Sequence, residues 1–339
     1  MVYFLTGFLS TLISIIVLRP FAFSLKLTDT PDARKKHIGE VPVIGGISVS
    51  SVIVIYLIFI DSVNSEIEMV LFFSLLILIL GIYDDLKDLR AKIKLSFQLL
   101  LVTFTIYFSG IKIESLGFLF GLSIPLDLGL LAIPFSIISV IGLTNAFNMI
   151  DGFDGQAGLL SVIAIMGIFM FGLDKVDPDL YNFLTLFLSG LIAFLIFNFT
   201  NNIKMKIFLG DGGSLLLGFI ISFILIYCSQ ILKLFSPSFA LWCVCIPLFD
   251  FFTIIALRKI KKQKLLIANK DHIHDFLDAL NFSKTFVTFL TSTTGLLSLC
   301  LGYYLEVNFP SLSFWIFLIL FKLYLFIRIY YEMHLKNII

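Results

Sequence analysis

The stretch IEMVLFFSLLILILGIYDDLKDLRAKIKLSFQLLLVTFTIYFS, residues 67–109, joins two apolar runs through a short charged segment. A helix needs roughly 20 apolar residues to cross a hydrocarbon core of about 30 Å, and each run approaches that length. The apolar residues are continuous rather than alternating, which favours helices over the strands of a membrane barrel. The stretch therefore predicts two membrane-spanning helices with charged residues between them.

The same pattern recurs along the whole chain of 339 residues, of which 59% are hydrophobic and 14% charged. The mean hydropathy of +1.05 lies far above that of soluble proteins. We predict an all-α, polytopic membrane protein that forms a single integral-membrane domain over residues 1–339. Its four cysteines fall inside apolar runs and predict no redox chemistry. About eleven spans are expected, near residues 2–25, 43–60, 67–83, 95–109, 128–147, 157–173, 183–200, 213–228, 237–257, 286–305 and 312–333.

The distribution of basic residues predicts the orientation of these spans. With the N-terminus outside, the loops on the opposite side receive most of the lysines and arginines, and the outer loops carry only Lys112, Lys175 and Lys233. Cytoplasmic loops are enriched in Lys and Arg, so the basic side is predicted to be cytoplasmic. No nucleic-acid partner is expected. The cytoplasmic loops lie near residues 26–42, 84–94, 145–156, 201–212 and 258–285.

The charged segment DDLKD places three carboxylates on this side, at Asp84, Asp85 and Asp88. On a helix the pairs three and four residues apart share a face, so a cation is expected between them. Mg²⁺ fits because it prefers hard oxygen ligands and bridges carboxylates to phosphates. A solvated face neutralised by nearby basic residues explains the segment equally well. Lys94 could bind a lipid phosphate or extend to the headgroups.

The segment NAFNMIDGFDGQAG, residues 145–158, spaces Asn145, Asn148, Asp151 and Asp154 three residues apart, with glycines among them. Glycine weakens a helix, so we expect the segment to end the fifth span and unwind. Unwound polar backbone near a membrane is tolerated where it lines a water-filled cavity or is buried in protein. The segment therefore predicts a binding site rather than only a capped loop.

The segment FLGDGGS, residues 208–214, begins the eighth span. Its glycines would let the backbone approach a ligand, the free N–H groups of a helix start attract phosphate, and Asp211 could bind a metal. The spacing lacks the lysine of a P-loop, which argues against an ATPase. A tight turn with an aspartate cap is the alternative.

The basic loop at 258–285 carries His272 and His274 but no cysteine, so phosphate is a better expected ligand than zinc. Such a loop can also mark only topology or anionic lipid. Asp250 lies inside an apolar run and is therefore a functional candidate, with Arg258 as a structural partner in the alternative view. Lys322 also lies inside an apolar run and is therefore a functional candidate too, but no motif accompanies it.

In this order and on this side, these motifs resemble those of the polyprenyl-phosphate N-acetylhexosamine-1-phosphate transferases, glycosyltransferase family 4. HIGEVPVIGGI, residues 37–47, and DDLKD, residues 84–88, are similar to two of its signatures. The resemblance implies transfer of HexNAc 1-phosphate from a UDP-sugar, foremost UDP-GlcNAc, to undecaprenyl phosphate, with release of UMP. It also implies that the reaction needs Mg²⁺, for which Mn²⁺ could substitute. The protein would lie in the bacterial cytoplasmic membrane, with a homodimer as one option, and would catalyse the first membrane step in the synthesis of a surface polysaccharide such as O-antigen.

The resemblance also implies roles for individual residues. Lys94 would lie near the phosphates, Asn148 and Asp211 would bind metal and diphosphate, and Asp84 or Asp85 would orient or deprotonate the lipid phosphate. Phe208 would stack on uracil, and His272 or His274 would neutralise phosphate charge. The expected substrate-binding set is Asp88, Asn145, Asn148, Asp151, Asp154, Phe208, His272 and His274. The chain departs from the family pattern at Asp275 and Asn269, where a histidine and an aspartate are usual.

Two other functions compete with the transferase. Asp250 and Lys322 inside spans, together with an unwound polar segment, are also typical of secondary transporters. Transporters place such groups near the midplane, whereas the clusters here lie at one predicted interface. The altered residue at Asp275 keeps an inactive homologue as a third alternative.

Overall fold

The computed structural model describes residues 1–31, 39–60, 64–118, 124–172, 177–263 and 272–335, except for the side chains of residues 274, 275, 279 and 335. Within these ranges the chain is predominantly helical. The helices are α1 Val2–Ser24, α2 Gly45–Phe59, α3 Ser65–Lys87, α4 Ala91–Ser109, α5 Ala132–Ile150, α6 Gln156–Phe169, α7 Pro178–Asn198, α8 Gly210–Ile226, α9 Pro237–Cys243, α10 Cys245–Ile260, α11 Ile273–Ala279, α12 Lys284–Asn308 and α13 Pro310–Tyr330. A 3₁₀ turn, Gly129–Leu131, precedes α5, and π-helical turns, Tyr227–Ile231 and Tyr331–Leu335, extend α8 and α13.

The structure agrees with a polytopic membrane protein. Eight helices of the described chain are long and apolar enough to cross a bilayer, and a ninth crossing exists if α9 and α10 form one broken span. Those two helices meet at an angle of 86°. α2 and α6 have only 15 and 14 residues, so at about 1.5 Å per residue they are shorter than the hydrocarbon core. All eleven predicted segments are helical, but length alone supports eight or nine crossings.

A short sheet interrupts the helical pattern before α2. Strand β1, Thr28–Asp29, pairs antiparallel with strand β2, Val41–Pro42. The chain then attaches to the segment before α8, where Phe208 donates its N–H to the Pro42 carbonyl at 2.8 Å and accepts from Gly45 at 2.8 Å. The HIGEVPVIGGI motif therefore supports the start of α8, although its first two residues lie outside the described ranges.

Glycine contacts bring α8 against its neighbours. A Cβ added to Gly81 of α3 would lie 2.3 Å from the Gly212 Cα, and one added to Gly46 of α2 would lie 2.3 Å from the Gly213 Cα. Small residues at helix interfaces let backbones approach closely inside a membrane. The glycines of the GDGG segment therefore serve helix packing, and they fix the N-terminus of α8 beside the C-terminal end of α3.

The candidate polar residues gather at one end of the bundle. α3 and α5 end there, while α4, α6 and α8 begin there. A different set of contacts closes the other end, where the Asn64 amide donates to the Tyr227 hydroxyl at 2.6 Å and to Asp177 Oδ2 at 3.2 Å. We call the end that carries the candidate polar residues the site end.

The glycine contacts predict unequal effects of alanine on stability. Gly81→Ala should lower the unfolding free energy by about 1–3 kcal/mol, because the new Cβ meets backbone that cannot move aside. Gly142→Ala in α5 is the matched control, since its Cβ would come no closer than 3.8 Å to another group, and a gain of up to about 1 kcal/mol is expected. Unfolding midpoints in detergent measure both, and equal midpoints for the two variants would contradict the packing.

Candidate active site

Lys94 lies at the centre of the site end, between side chains from three other helices. Its ammonium donates to the Asp84 carboxylate, to Asp211 Oδ2 at 3.0 Å and to Asn148 Oδ1 at 3.4 Å. Lys94 is 12% exposed and Asp84 7%, whereas Asp211 is 44% exposed. One cation therefore balances a buried carboxylate and an accessible one, with α3, α4, α5 and α8 each contributing one group.

Asn148 completes this cluster as a bridge between α5 and α8. Its amide nitrogen donates to Asp211 Oδ1 at 3.0 Å and to the Ser214 hydroxyl at 2.9 Å. Both oxygens of the Asp211 carboxylate are thus hydrogen-bonded, which fixes the orientation of that carboxylate. We call Asp84, Lys94, Asn148 and Asp211 the central cluster.

The turn after α3 separates Asp88 from the central cluster. α3 ends with Asp88 in the left-handed conformation, at φ 49°, and the Leu89 N–H donates to Asp84 Oδ1 at 2.9 Å. Asp88 is exposed. The cation beside Asp84 in this structure is the ammonium of Lys94, and Asp88 is not among the described partners of that ammonium, because the left-handed residue turns the chain out of the helix. The expectation of Mg²⁺ at these carboxylates stays a prediction.

Asp85 has a different contact from its neighbour Asp84. Its two oxygens accept the backbone N–H groups of Asp211, at 2.9 Å, and Gly212, at 3.2 Å. The expectation that these N–H groups are free for phosphate is therefore wrong, because a carboxylate of the chain already caps the start of α8. Gly210 permits this contact, since it adopts φ +79° and its added Cβ would lie 2.9 Å from Asp85 Oδ2. Asp85 thus positions Asp211, a role that the sequence did not indicate.

The segment from Asn145 to Gly158 unwinds less than expected. α5 continues to Ile150 and α6 begins at Gln156, so only the five residues between them leave the helix. The C-terminal part of α5 stays helical because it packs closely on α8, where a Cβ added to Gly218 would lie 2.7 Å from the Thr144 Cα.

Asn145 lies one turn before Asn148 but outside the central cluster. Its amide donates to Gln98 Oε1 at 2.7 Å and to the Ile141 carbonyl at 2.8 Å. Gln98 is fully buried. In this structure Asn145 therefore joins α5 to α4, and its described contacts are structural.

The five-residue break forms a second polar cluster beside the first. Asp154 pairs with the Lys206 ammonium at 2.6 Å, and its carbonyl accepts from the Thr288 hydroxyl at 3.1 Å. The Lys206 ammonium also lies 5.9 Å from the centre of the Phe208 ring. Lys206 was not singled out from the sequence, although its position two residues before Phe208 was the available signal. The cluster combines an aromatic face with charged groups of both signs.

Asp151 follows α5 directly and is partly buried. Burial raises the pKa of its carboxyl well above the usual range, and the nearby carboxylates of Asp211, Asp154 and Asp85 raise it further. Hydrogen bonding from the Ala157 N–H acts in the opposite direction. The protonated form of Asp151 is therefore favoured by the folded chain when no cation is bound.

His272 is held by Asp250, with Nδ1 of the ring 3.0 Å from Asp250 Oδ2. Within the described chain the other partners of Asp250 are the Ile273 N–H, at 2.7 Å, and Arg328, at 3.6 Å. The sequence suggested Arg258 as the structural partner, which is wrong because α13 brings Arg328 to the carboxylate instead. The side chains of His274 and Asp275, and all of Asn269, lie outside the described residues. Lys322 is exposed on α13.

The donors of the central cluster suit a magnesium ion that shares its coordination with substrate. Among the described residues, no three His, Cys, Asp or Glu side chains are arranged to hold an ion by themselves. Asp211, Asn148 and Asp84 nevertheless present hard oxygens around one point, and Mg²⁺ commonly keeps waters and takes phosphate oxygens as further ligands. The residues present therefore fit Mg²⁺ as part of its ligand set and not as a closed protein cage.

Comparison with known proteins gives consistent similarities. The family model for glycosyl transferase family 4 matches residues 67–229, from α3 to the π-helical turn after α8. An Escherichia coli (strain K12) protein named undecaprenyl-phosphate alpha-N-acetylglucosaminyl 1-phosphate transferase is 29% identical over 322 residues, covering 94% of this chain and 87% of that protein. A Bacillus subtilis (strain 168) protein named probable undecaprenyl-phosphate N-acetylglucosaminyl 1-phosphate transferase is 31% identical over 290 residues, covering 84% and 79%. A Yersinia pestis protein with the first name is 29% identical over 297 residues, covering 86% and 80%.

The position of Lys94 predicts competition between its ammonium and a divalent cation. Lys94→Met should leave two carboxylates without their counter-charge, so the variant should bind Mg²⁺ at least about tenfold more tightly, which corresponds to about 1.4 kcal/mol. The shift of the unfolding midpoint with added Mg²⁺, without substrate, measures this affinity. Lys92→Met, which removes an exposed charge nearby, is the control. An equal response of the two variants would refute the competition.

The raised pKa of Asp151 predicts a pH-dependent effect on stability in the presence of a chelator. Because the folded-state pKa lies above the unfolded value, its stabilising contribution is fully present below about pH 4 and is lost as pH rises through the folded pKa. Asp151→Asn should therefore raise the unfolding midpoint more at pH 8 than at pH 5. Asp154→Asn breaks the pair with Lys206 and should lower the midpoint instead. A pH-independent difference between wild type and Asp151→Asn would contradict the prediction.

Proposed function

The chain belongs to glycosyl transferase family 4, and from this premise we propose that it transfers a HexNAc 1-phosphate from a UDP-sugar to undecaprenyl phosphate, releasing UMP. UDP-GlcNAc is the first donor to test, because the similar proteins from E. coli and B. subtilis are named N-acetylglucosaminyl 1-phosphate transferases. The observation that carries the proposal is the central cluster, in which a lysine, two carboxylates and an amide meet at the site end.

Transfer of a phosphoryl group depends on positioning and charge neutralisation more than on covalent chemistry by the protein. An oxygen of the lipid phosphate attacks the β-phosphorus of the UDP-sugar, and the bond from that phosphorus to the bridging oxygen breaks, so UMP leaves. Asp84 orients the lipid phosphate, and Lys94 neutralises phosphate oxygens as charge shifts to the leaving group. Asp85 acts through the backbone of Asp211 and keeps its carboxylate in place.

Asp211 and Asn148 are the residues we propose as metal ligands, with Asp84 as a further candidate. Mg²⁺, for which Mn²⁺ can substitute, would supply charge neutralisation at the diphosphate. Asn148 also holds Asp211 in the substrate-free chain, so loss of the amide would misplace the carboxylate. This arrangement assigns the metal side of the site to α5 and α8.

The second cluster is proposed as the nucleotide side. Phe208 offers a ring face for uracil, and Asp151 with Asp154 accepts hydrogen bonds from the uridine. Lys206 lies within reach of both Asp154 and the Phe208 ring, so its ammonium neutralises a nucleotide phosphate or keeps the aspartate oriented. Asp88 and Asn145 have no such support and are the weakest members of the expected substrate-binding set.

We propose that the site end is cytoplasmic, with the N-terminus outside and about eleven crossings of a bacterial inner membrane. The excess of Lys and Arg in the loops at that end supports this orientation. The product would begin a surface polysaccharide such as O-antigen, and a homodimer is a compatible assembly. The location of the cluster at helix ends favours the transferase over a transporter, whose coupling groups lie near the midplane.

The experiment that tests the function is UMP release by purified protein in detergent, with undecaprenyl phosphate, Mg²⁺ and a panel of UDP-HexNAc donors. Lipid-dependent release from one donor is expected. Asp211→Asn should lower the rate at least on the order of 100-fold, because it removes the carboxylate that pairs with Lys94 and that we propose as a metal ligand. Asp127→Asn, an exposed carboxylate away from the site end, is the matched control. Folded wild-type protein that releases no UMP from any donor would overturn the proposal.

A further inference from the structure

Helix α13 carries a buried arginine near its C-terminal end. Arg328 is 1% exposed, and its Nη1 lies 3.6 Å from Asp250 Oδ1 and donates to the Tyr324 hydroxyl at 2.9 Å. Its guanidinium carbon stands 4.8 Å from the centre of the Phe276 ring. A charge buried at the end of a membrane helix is costly unless a partner or a function retains it. Here the charge is balanced by Asp250, which is itself 2% exposed.

Asp250 connects this arginine to His272. One carboxylate oxygen contacts Nδ1 of the His272 ring, and the other accepts the N–H of Ile273. A carboxylate bonded to one ring nitrogen fixes the orientation of an imidazole and directs the other nitrogen away from itself. Three elements, α10, α11 and α13, therefore determine where the His272 ring points.

We propose that Asp250 and Arg328 are positioning residues that hold the His272 imidazole in the orientation used by the transfer reaction. This inference rests on the proposed function, in which His272 neutralises a phosphate. Asp250 supplies the contact to the ring, and Arg328, whose Nη1 lies 3.6 Å from the Asp250 carboxylate, holds that carboxylate in place. Neither residue needs to touch substrate.

A purely structural role for the same contacts would be to dock α13 onto the loop after α10. The structure contains a separate ion pair between α10 and the turn that follows α13. Lys261 pairs with Glu332 at 2.6 Å, and Glu332 is 4% exposed, but neither is a described partner of Asp250 or of the His272 ring. Lys261→Met therefore removes an ion pair between α10 and the C-terminal part of the chain, and it serves as the matched control.

The first test is the ring-nitrogen spectrum of protein labelled with ¹⁵N-histidine, which is tractable because the chain has only four histidines. The His272 signal is identified by its loss in His272→Gln. It should move in Asp250→Asn and stay in place in Lys261→Met. This readout needs no substrate, so it separates failure of this inference from failure of the proposed function. An unmoved His272 signal in Asp250→Asn would overturn the inference.

The second test is the kinetics of UMP release. Asp250→Asn should lower kcat on the order of 10- to 100-fold, while KM for the UDP-sugar changes by no more than about threefold, because the ring is misplaced but the nucleotide contacts remain. Lys261→Met should keep kcat within about twofold of wild type. A kcat of Asp250→Asn within about twofold of wild type would also overturn the inference.

Arg328→Gln alone leaves a buried carboxylate without its counter-charge and is expected to lower the unfolding midpoint. The double variant Asp250→Asn with Arg328→Gln removes both charges and should recover the midpoint without recovering kcat. This variant keeps the inference testable if a single substitution does not fold. Recovery of both midpoint and kcat would show that the pair only stabilises the fold, and the inference would fail.

Discussion

The ammonium of Lys94 is the contact on which the site end depends. Two carboxylates from α3 and α8 face each other across it, and without a cation their repulsion would separate the ends of two helices that otherwise pack through glycines. The ammonium therefore makes the substrate-free arrangement stable. In the proposed function, the ammonium also leaves the accessible carboxylate, Asp211, with a partner that substrate phosphates and a divalent cation would replace with their own charges.

The adjacent aspartates Asp84 and Asp85 show how one sequence motif can divide two tasks. Asp84 points to the ammonium, whereas Asp85 points to the backbone at the start of α8. The two side chains differ by about 100° around the helix, which is enough to send them to different neighbours. In the proposed function, replacing either one would lower activity for a different physical reason.

The membrane class and the approximate helix positions could be predicted from the sequence, because apolar length and continuity are local properties. The family resemblance implied that Lys94, Asn148 and Asp211 lie near one another, and the structure brings them into contact. The predicted topology alone placed only their loops on one side. The contacts made by Asp85, Asn145 and Arg328 could not be predicted, because each joins residues far apart in the chain and depends on which helices pack together. The 86° bend between α9 and α10 and the shortness of α2 and α6 were missed because hydropathy reports apolar runs and not helix direction.

The contact between Gly81 and Gly212 has a consequence for the response of the protein to its lipid environment. Because backbone meets backbone there, α3 and α8 have no flexible side chains at this point through which they could slide past each other. Bilayers of different thickness tilt helices and shift them relative to one another at modest cost. The distance between Asp84 and Asp211 is therefore insulated from bilayer thickness, and adaptation to a thinner or thicker membrane falls to the peripheral helices instead.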